Sequence, residues 1–170
     1  MGAYVLDATD RVWIANDHGG YLLKRCFVSY FSQNGIEYRD LGCSSEEIAR
    51  YPYYAAAVAS AVSGGAAQRG ILICSTGIGM SILANKYPGV RASVCSSPYE
   101  ARMTRLHNDS NILCLGGRTV GDMKALDTLE AWLTTEYIGE RHEISLSLIR
   151  EAERTNMTGE VWDPGFSDMR

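Results

Sequence analysis

Residues 71–81, Ile-Leu-Ile-Cys-Ser-Thr-Gly-Ile-Gly-Met-Ser, put one thiol where an apolar run meets a loop of Ser, Thr and Gly, with a helical pattern following. Free backbone N–H groups and partial positive charge gather at a helix start, so Cys74 faces a place that suits anions, a thiolate among them. Three familiar phosphate signatures are absent. A P-loop needs Gly-Lys-Ser/Thr ahead of its helix. A dinucleotide fingerprint beginning at Gly77 needs a small residue where Ile82 stands. A cysteine phosphatase loop needs arginine where the chain has Met80. The local sequence leaves two readings open: an anion site around a reactive cysteine, or a tight glycine turn over a buried one.

The elements that must position this loop follow from the pattern of apolar residues. Strands are expected at 11–15, 36–40, 69–74, 91–95 and 112–115, and helices near 20–33, 53–63, 79–86, 98–107, 121–134 and 142–153. Leu23, Phe27 and Phe31 repeat at four-residue steps, and Met123, Leu126, Leu129 and Leu133 trace one helical face. Such alternation implies βαβ units: an α/β fold, a Rossmann-like three-layer sandwich around a five-stranded parallel sheet. Ligands in these sheets bind beyond the carboxyl ends of the strands. That singles out Asn16-Asp17-His18-Gly19-Gly20, Gly42 to Tyr51, Cys74 to Gly79, Ser96-Ser97 and Gly116-Gly117-Arg118.

Composition narrows the classes. The 170 residues suffice for one domain, and 46% apolar with 21% charged content is ordinary for a globular chain. A net charge of −4 gives no reason to expect nucleic acid or an anionic membrane as partner. No apolar run is long enough to cross a bilayer, and no basic-then-apolar signal peptide opens the chain. Five scattered cysteines (Cys26, Cys43, Cys74, Cys95, Cys114) without a C-x-x-C pair point to reduced thiols in a cytoplasm. His18, His107 and His142 lack metal-ligand spacing to any cysteine, so no metal is expected. The divisions expected are an N-terminal extension over 1–10, one folded domain over 11–153 and a polar, aperiodic tail over 154–170.

The residues after the strands resemble those of the ribose-5-phosphate isomerase type B family, which includes galactose-6-phosphate isomerase subunits. The matching pieces are Asp17-His18-Gly19-Gly20, Tyr51-Pro52, Gly70 to Cys74 with Thr76-Gly77-Ile78-Gly79-Met80-Ser81, Ala84-Asn85-Lys86, His107-Asn108-Asp109, Gly116 with Arg118, and Gly139 with Arg141-His142. They fall in the family's order from about residue 11 to 150. The resemblance implies an aldose–ketose isomerase of phosphorylated sugars that works through an enediolate without metal or cofactor. Ribose 5-phosphate is the first expectation. Allose 6-phosphate, galactose 6-phosphate, a tetrose phosphate or a phosphosugar-binding protein without turnover are the alternatives.

By the same resemblance, Cys74 is the base and Thr76 orients the thiol or the sugar hydroxyls. Backbone amides of Ser75, Thr76, Gly77, Ile78 and Gly79 hold the enediolate oxygen, where donors aimed at developing charge contribute most. His107 opens the furanose ring, and Asp17 assists at the hydroxyls. His18, Arg118 and Arg141 bind phosphate, with Asn108 and Tyr51 as further polar contacts. The family forms homodimers or homotetramers with shared sites, which assigns Asn108 and Arg118 to a neighbour's pocket. Read without the resemblance, Asp17 and His18 are helix caps, His107 a helix-end histidine, and Arg118 and Arg141 surface arginines. Three positions depart from the family pattern: Ser75 stands for Gly, Arg50 for an acidic residue, and Ser145 for a second phosphate-binding Arg. Loss of that guanidinium weakens phosphate binding unless Arg50 compensates.

Overall fold

The computed structural model describes residues 12–159. The expected N-terminal extension over 1–10 lies outside them, as does most of the expected tail. Five strands, β1 (Val12–Asn16), β2 (Tyr38–Asp40), β3 (Arg69–Cys74), β4 (Ala92–Val94) and β5 (Ile112–Gly116), form one sheet in the order β2-β1-β3-β5-β4. Every pairing is parallel. Among the described residues, six α-helices accompany the sheet: α1 (Tyr21–Asn34), α2 (Tyr51–Ser63), α3 (Ile78–Ala84), α4 (Pro98–Asn108), α5 (Asp122–Thr134) and α6 (Arg141–Met157).

Alternate strand residues point to opposite faces, and each face is closed by its own helices. Val12, Ile14, Ile71, Ile73, Leu113 and Leu115 pack against Leu23, Phe27 and Phe31 of α1 and Leu129 and Trp132 of α5. Ala15, Leu72, Cys74 and Cys114 pack against Val58 and Ala59 of α2 and Met80 and Ala84 of α3. The result is the expected three-layer sandwich. Its central strands, β3 and β5, are almost wholly buried, which is why they read as continuous apolar runs.

Local chemistry sets the boundaries. Pro52 in the first turn of α2 moves its start to Tyr51, two residues ahead of the apolar pattern. Ser97 accepts the Glu100 N–H at 3.2 Å and Glu100 reaches back to the Ser96 N–H, which together start α4. The Ser96 N–H first, then its hydroxyl, holds the Glu100 carboxyl below its ordinary range. Helix α6 runs to Met157, past the position 153 where the polar sequence reads as tail. It lies against α4 and buries only Leu146, and from 150 to 156 only Ala152 is apolar, so no apolar stripe marks its last turns.

Candidate functional site

Three loops meet at the carboxyl edge of the sheet. From β1, Asp17 caps a single 3-10 turn, His18–Gly20, accepting the Gly19 N–H at 2.8 Å, so its capping role is real. From β3, Cys74 enters a turn whose Gly77 has φ of 79°, and the Gly77 N–H donates to Cys74 Sγ at 3.1 Å. From β5, the Gly117 N–H donates to the Cys74 carbonyl at 2.8 Å and the Arg118 N–H to the Ser75 carbonyl at 3.1 Å. The loops touch backbone to backbone. A Cβ on Gly117 would stand 2.5 Å from the Gly19 carbonyl oxygen, and one on Gly20 2.4 Å from that of Ile73.

The amides of the Cys74 loop divide into two sets. Gly77 serves the sulfur and the Ile78 N–H donates to Thr76 Oγ1 at 3.3 Å. Among the described residues, no hydrogen bond engages the amides of Ser75, Thr76 or Gly79. The Tyr51 ring lies against Gly79, where a Cβ would come within 2.9 Å of it. His18 is held from the side by Ala49, whose N–H lies 3.2 Å and whose carbonyl oxygen lies 3.1 Å from its Nδ1. Arg50, next to Ala49, caps α2 at this same edge. Ser75 points its hydroxyl at the 3-10 turn, since a Cβ on Gly19 would fall 2.2 Å from Ser75 Oγ. Its extra side chain is accommodated by a glycine.

His107, Asn108 and Arg141 lie elsewhere. Helix α4 returns against the strand direction, so its last turn reaches the amino edge of the sheet. There Arg91 Nε donates to the Asn108 and Asp109 carbonyls at 3.0 and 2.9 Å, just before β4 and β5 begin. Along β3 and β5, four residues of paired strand, about 13 Å, separate Gly70 beside Ile112 from Cys74 beside Gly116. One chain therefore does not bring Cys74 and His107 together. Arg118 stands at the Cys74 edge of its own chain, and Asn108 at the opposite edge.

The amino-edge group has its own architecture. The His107 ring stacks on His142, with centroids 4.2 Å apart and planes within 9°. Arg141 and His142 open α6, and exposed Ser145 follows one turn later. Asp109 ends α4 in a left-handed conformation and accepts from Arg91 Nη2 at 2.9 Å and Arg105 Nη1 at 2.8 Å. A cleft of about 650 Å³ opens at this edge between Arg91, Asn108, Ile149, Glu153 and Met157.

With both halves in view, comparison with known proteins decides the family. The sequence pattern described as Ribose/Galactose Isomerase matches residues 12–149. Ribose-5-phosphate isomerase B of Escherichia coli is 46% identical over 138 residues, covering 81% of this chain and 93% of that protein. This chain belongs to the ribose/galactose isomerase family. D-erythrulose-4-phosphate isomerase of Pectobacterium atrosepticum, 38% identical, covers 74% of this chain and 84% of its own. Among solved structures of the family, ribose-5-phosphate isomerase B of Clostridium thermocellum superposes with a TM-score of 0.84 at 46% identity. It covers 86% of this chain and 99% of its own. The Mycoplasma genitalium enzyme with bound ribulose-5-phosphate gives 0.81 at 32% identity, covering 85% and 96%.

Within this isomerase family frame, two residues escaped the sequence reading as participants. Asp109 was readable only as part of His-Asn-Asp, and its signal is an acidic residue at a helix end with arginines four residues before it and at position 91. His142 was readable as the neighbour of Arg141, but its pairing with His107 joins residues 35 positions apart.

Proposed function

We propose that this chain interconverts ribose 5-phosphate and ribulose 5-phosphate through a cis-enediolate, with Cys74 as base and no metal or cofactor. The observation that carries the reading is the buried Cys74 sulfur with the Gly77 N–H aimed at it, beside amides with no partner among the described residues. Cys74, as thiolate, takes the proton from C2 of the open-chain aldose. The electron pair forms the C1–C2 double bond and leaves negative charge on O1, facing the amides of Ser75, Thr76 and Gly79. The O2 proton passes to O1, the thiol returns its proton to C1, and O2 becomes the ketose carbonyl. Thr76 Oγ1 accepts the Ile78 N–H, which leaves its own hydrogen to donate to the sugar. Asp17 and Tyr51 contact sugar hydroxyls, and His18 Nε2 and Arg118 take the phosphate.

The ring-opening group comes from a second copy of the chain in a homodimer, or in a homotetramer built from such pairs. His107, Asn108 and Arg141 of one copy complete the Cys74 pocket of the other, which the length of strand between the two edges supports. Free Cys26, Cys43, Cys74, Cys95 and Cys114 suit a cytoplasmic enzyme. Mixing tests the shared site. Assayed from ribose 5-phosphate, Cys74→Ala and His107→Ala are each expected to be inactive alone. Unfolded together and refolded, they recover about a quarter of wild-type activity, since half the dimers are mixed and each has one intact site. A mixture that stays inactive contradicts sharing.

The likeness to a D-erythrulose-4-phosphate isomerase favours a tetrose phosphate as the second reading. A panel of four-, five- and six-carbon sugar phosphates separates the two by kcat/KM. Turnover on none of them means a binding protein.

A further inference from the structure

We infer that His142 is a positioning residue for His107: its imidazole lies flat against that ring and holds it in the plane from which the sugar ring is opened. The inference rests on the ring-opening role proposed for His107 and adds what orients it.

Three observations carry it. The two imidazoles are 4.2 Å apart and within 9° of parallel. His142 Nε2 is buried with no hydrogen-bond partner among the described residues, so that nitrogen plays no part in fixing the ring. An unsatisfied buried nitrogen costs free energy, which favourable packing elsewhere must offset. The segment before it is also held in an unusual shape. Glu140 has φ of 52° and ψ of −127°, the corner of a turn that glycine ordinarily fills, and the His142 N–H closes that turn on the Gly139 carbonyl at 3.1 Å. The same segment is tied to α4 by the Ile138 N–H, which donates to the Leu106 carbonyl at 3.3 Å, one residue before His107.

The electrostatics agree with a stack. His142 is held below the ordinary histidine range by burial first, then by His107 and Arg141, with Glu140 opposing. A neutral His142 lies against His107 without charge repulsion. A flat partner restricts ring rotation, and acid–base transfer is sensitive to misplacement of the group that performs it.

The test compares His142→Ala, His142→Phe and His107→Ala with wild type in both directions. Ribulose 5-phosphate carries its phosphate on O5 and has no furanose ring to open. His142→Ala is expected to lower kcat from ribose 5-phosphate about two- to tenfold, the span of a stacked aromatic pair. Its kcat from ribulose 5-phosphate stays at the wild-type value. His142→Phe keeps a flat ring and restores kcat from ribose 5-phosphate to within about twofold of wild type. Should His142→Ala not fold, His142→Gln, which keeps bulk without a ring, carries the same expectation. Equal losses in both directions overturn the inference, as does His142→Phe failing like His142→Ala, or no loss in either. If His107→Ala itself keeps the full rate from ribose 5-phosphate, the ring-opening role fails first, a result distinct from the failure of His142 alone.

Discussion

Replacing Asp109 by alanine removes several restraints from the end of α4 at once. Asp109 sits at φ 45° and ψ 47°, a left-handed conformation that short polar side chains tolerate and alanine adopts at a cost of roughly 1–2 kcal/mol. Its carboxylate pairs with Arg105, which is 7% exposed. Stranding a buried charge costs about 3–5 kcal/mol. Arg105 keeps the carbonyls of Ser110 at 2.7 Å and Thr135 at 3.2 Å, so the lower end applies. The Arg91 pair is partly exposed and adds less than about 1 kcal/mol. Asp109→Ala is therefore expected to lose about 4–5 kcal/mol, a large share of the stability of an ordinary domain. Asp109→Asn keeps the backbone preference and one acceptor and is expected to lose about 2 kcal/mol. The assay is urea unfolding at fixed protein concentration, because subunit association adds to apparent stability. With a slope near ~2 kcal/mol/M, the alanine midpoint drops by about 2 M and the asparagine midpoint by about 1 M. A loss below about 1 kcal/mol for alanine, or equal losses for the two variants, refutes the reasoning.

Other expectations concern the Cys74 end. Gly77→Ala places a Cβ 2.9 Å from the Leu115 carbonyl carbon at φ 79°. Strain and overpacking together cost about 3 kcal/mol, seen as a Tm lower by roughly 10 °C, and kcat falls because the N–H that holds Cys74 moves. An unchanged Tm argues against this. Gly19→Ala meets Ser75 Oγ at 2.2 Å and the Ser75 nitrogen at 2.8 Å. Adding Ser75→Gly relieves the first contact, so the double variant is more stable than the two single losses predict by about 0.5–3 kcal/mol; strict additivity in thermal unfolding contradicts the coupling. Dialysis against a chelator leaves turnover unchanged, and a loss restored by a divalent ion tells against metal-free catalysis.

The fold was largely legible because β3 and β5 are apolar on both faces and the helices between carry clear stripes. Strand order was less so. The placement of β5 between β3 and β4 depends on which crossover packs where, and no residue pattern in 91–116 records it. The Cys74 half of the site was readable, since Asp17, His18, the Cys74 loop and Arg118 each come just after a strand, with Tyr51 the exception at the start of α2. The separation of His107 was readable in principle, because a residue in the last turn of a crossover helix must lie at the opposite edge from the strand that precedes it. Arg118 follows a strand, which places it at the same edge as Cys74 of its own chain. The Ser75–Gly19 contact joins two loops 56 residues apart and appears only once they pack.

The central claim is that Cys74 moves the proton. Ribose 5-phosphate incubated with enzyme in deuterium oxide and followed by proton NMR tests it directly. Wild type is expected to form ribulose 5-phosphate carrying deuterium at C1, as the thiol exchanges with solvent between removal and return. Cys74→Ala, folded and assembled like wild type, is expected to lose both turnover and exchange by at least about 10²-fold. Turnover or deuterium uptake at the wild-type rate in that variant contradicts the account.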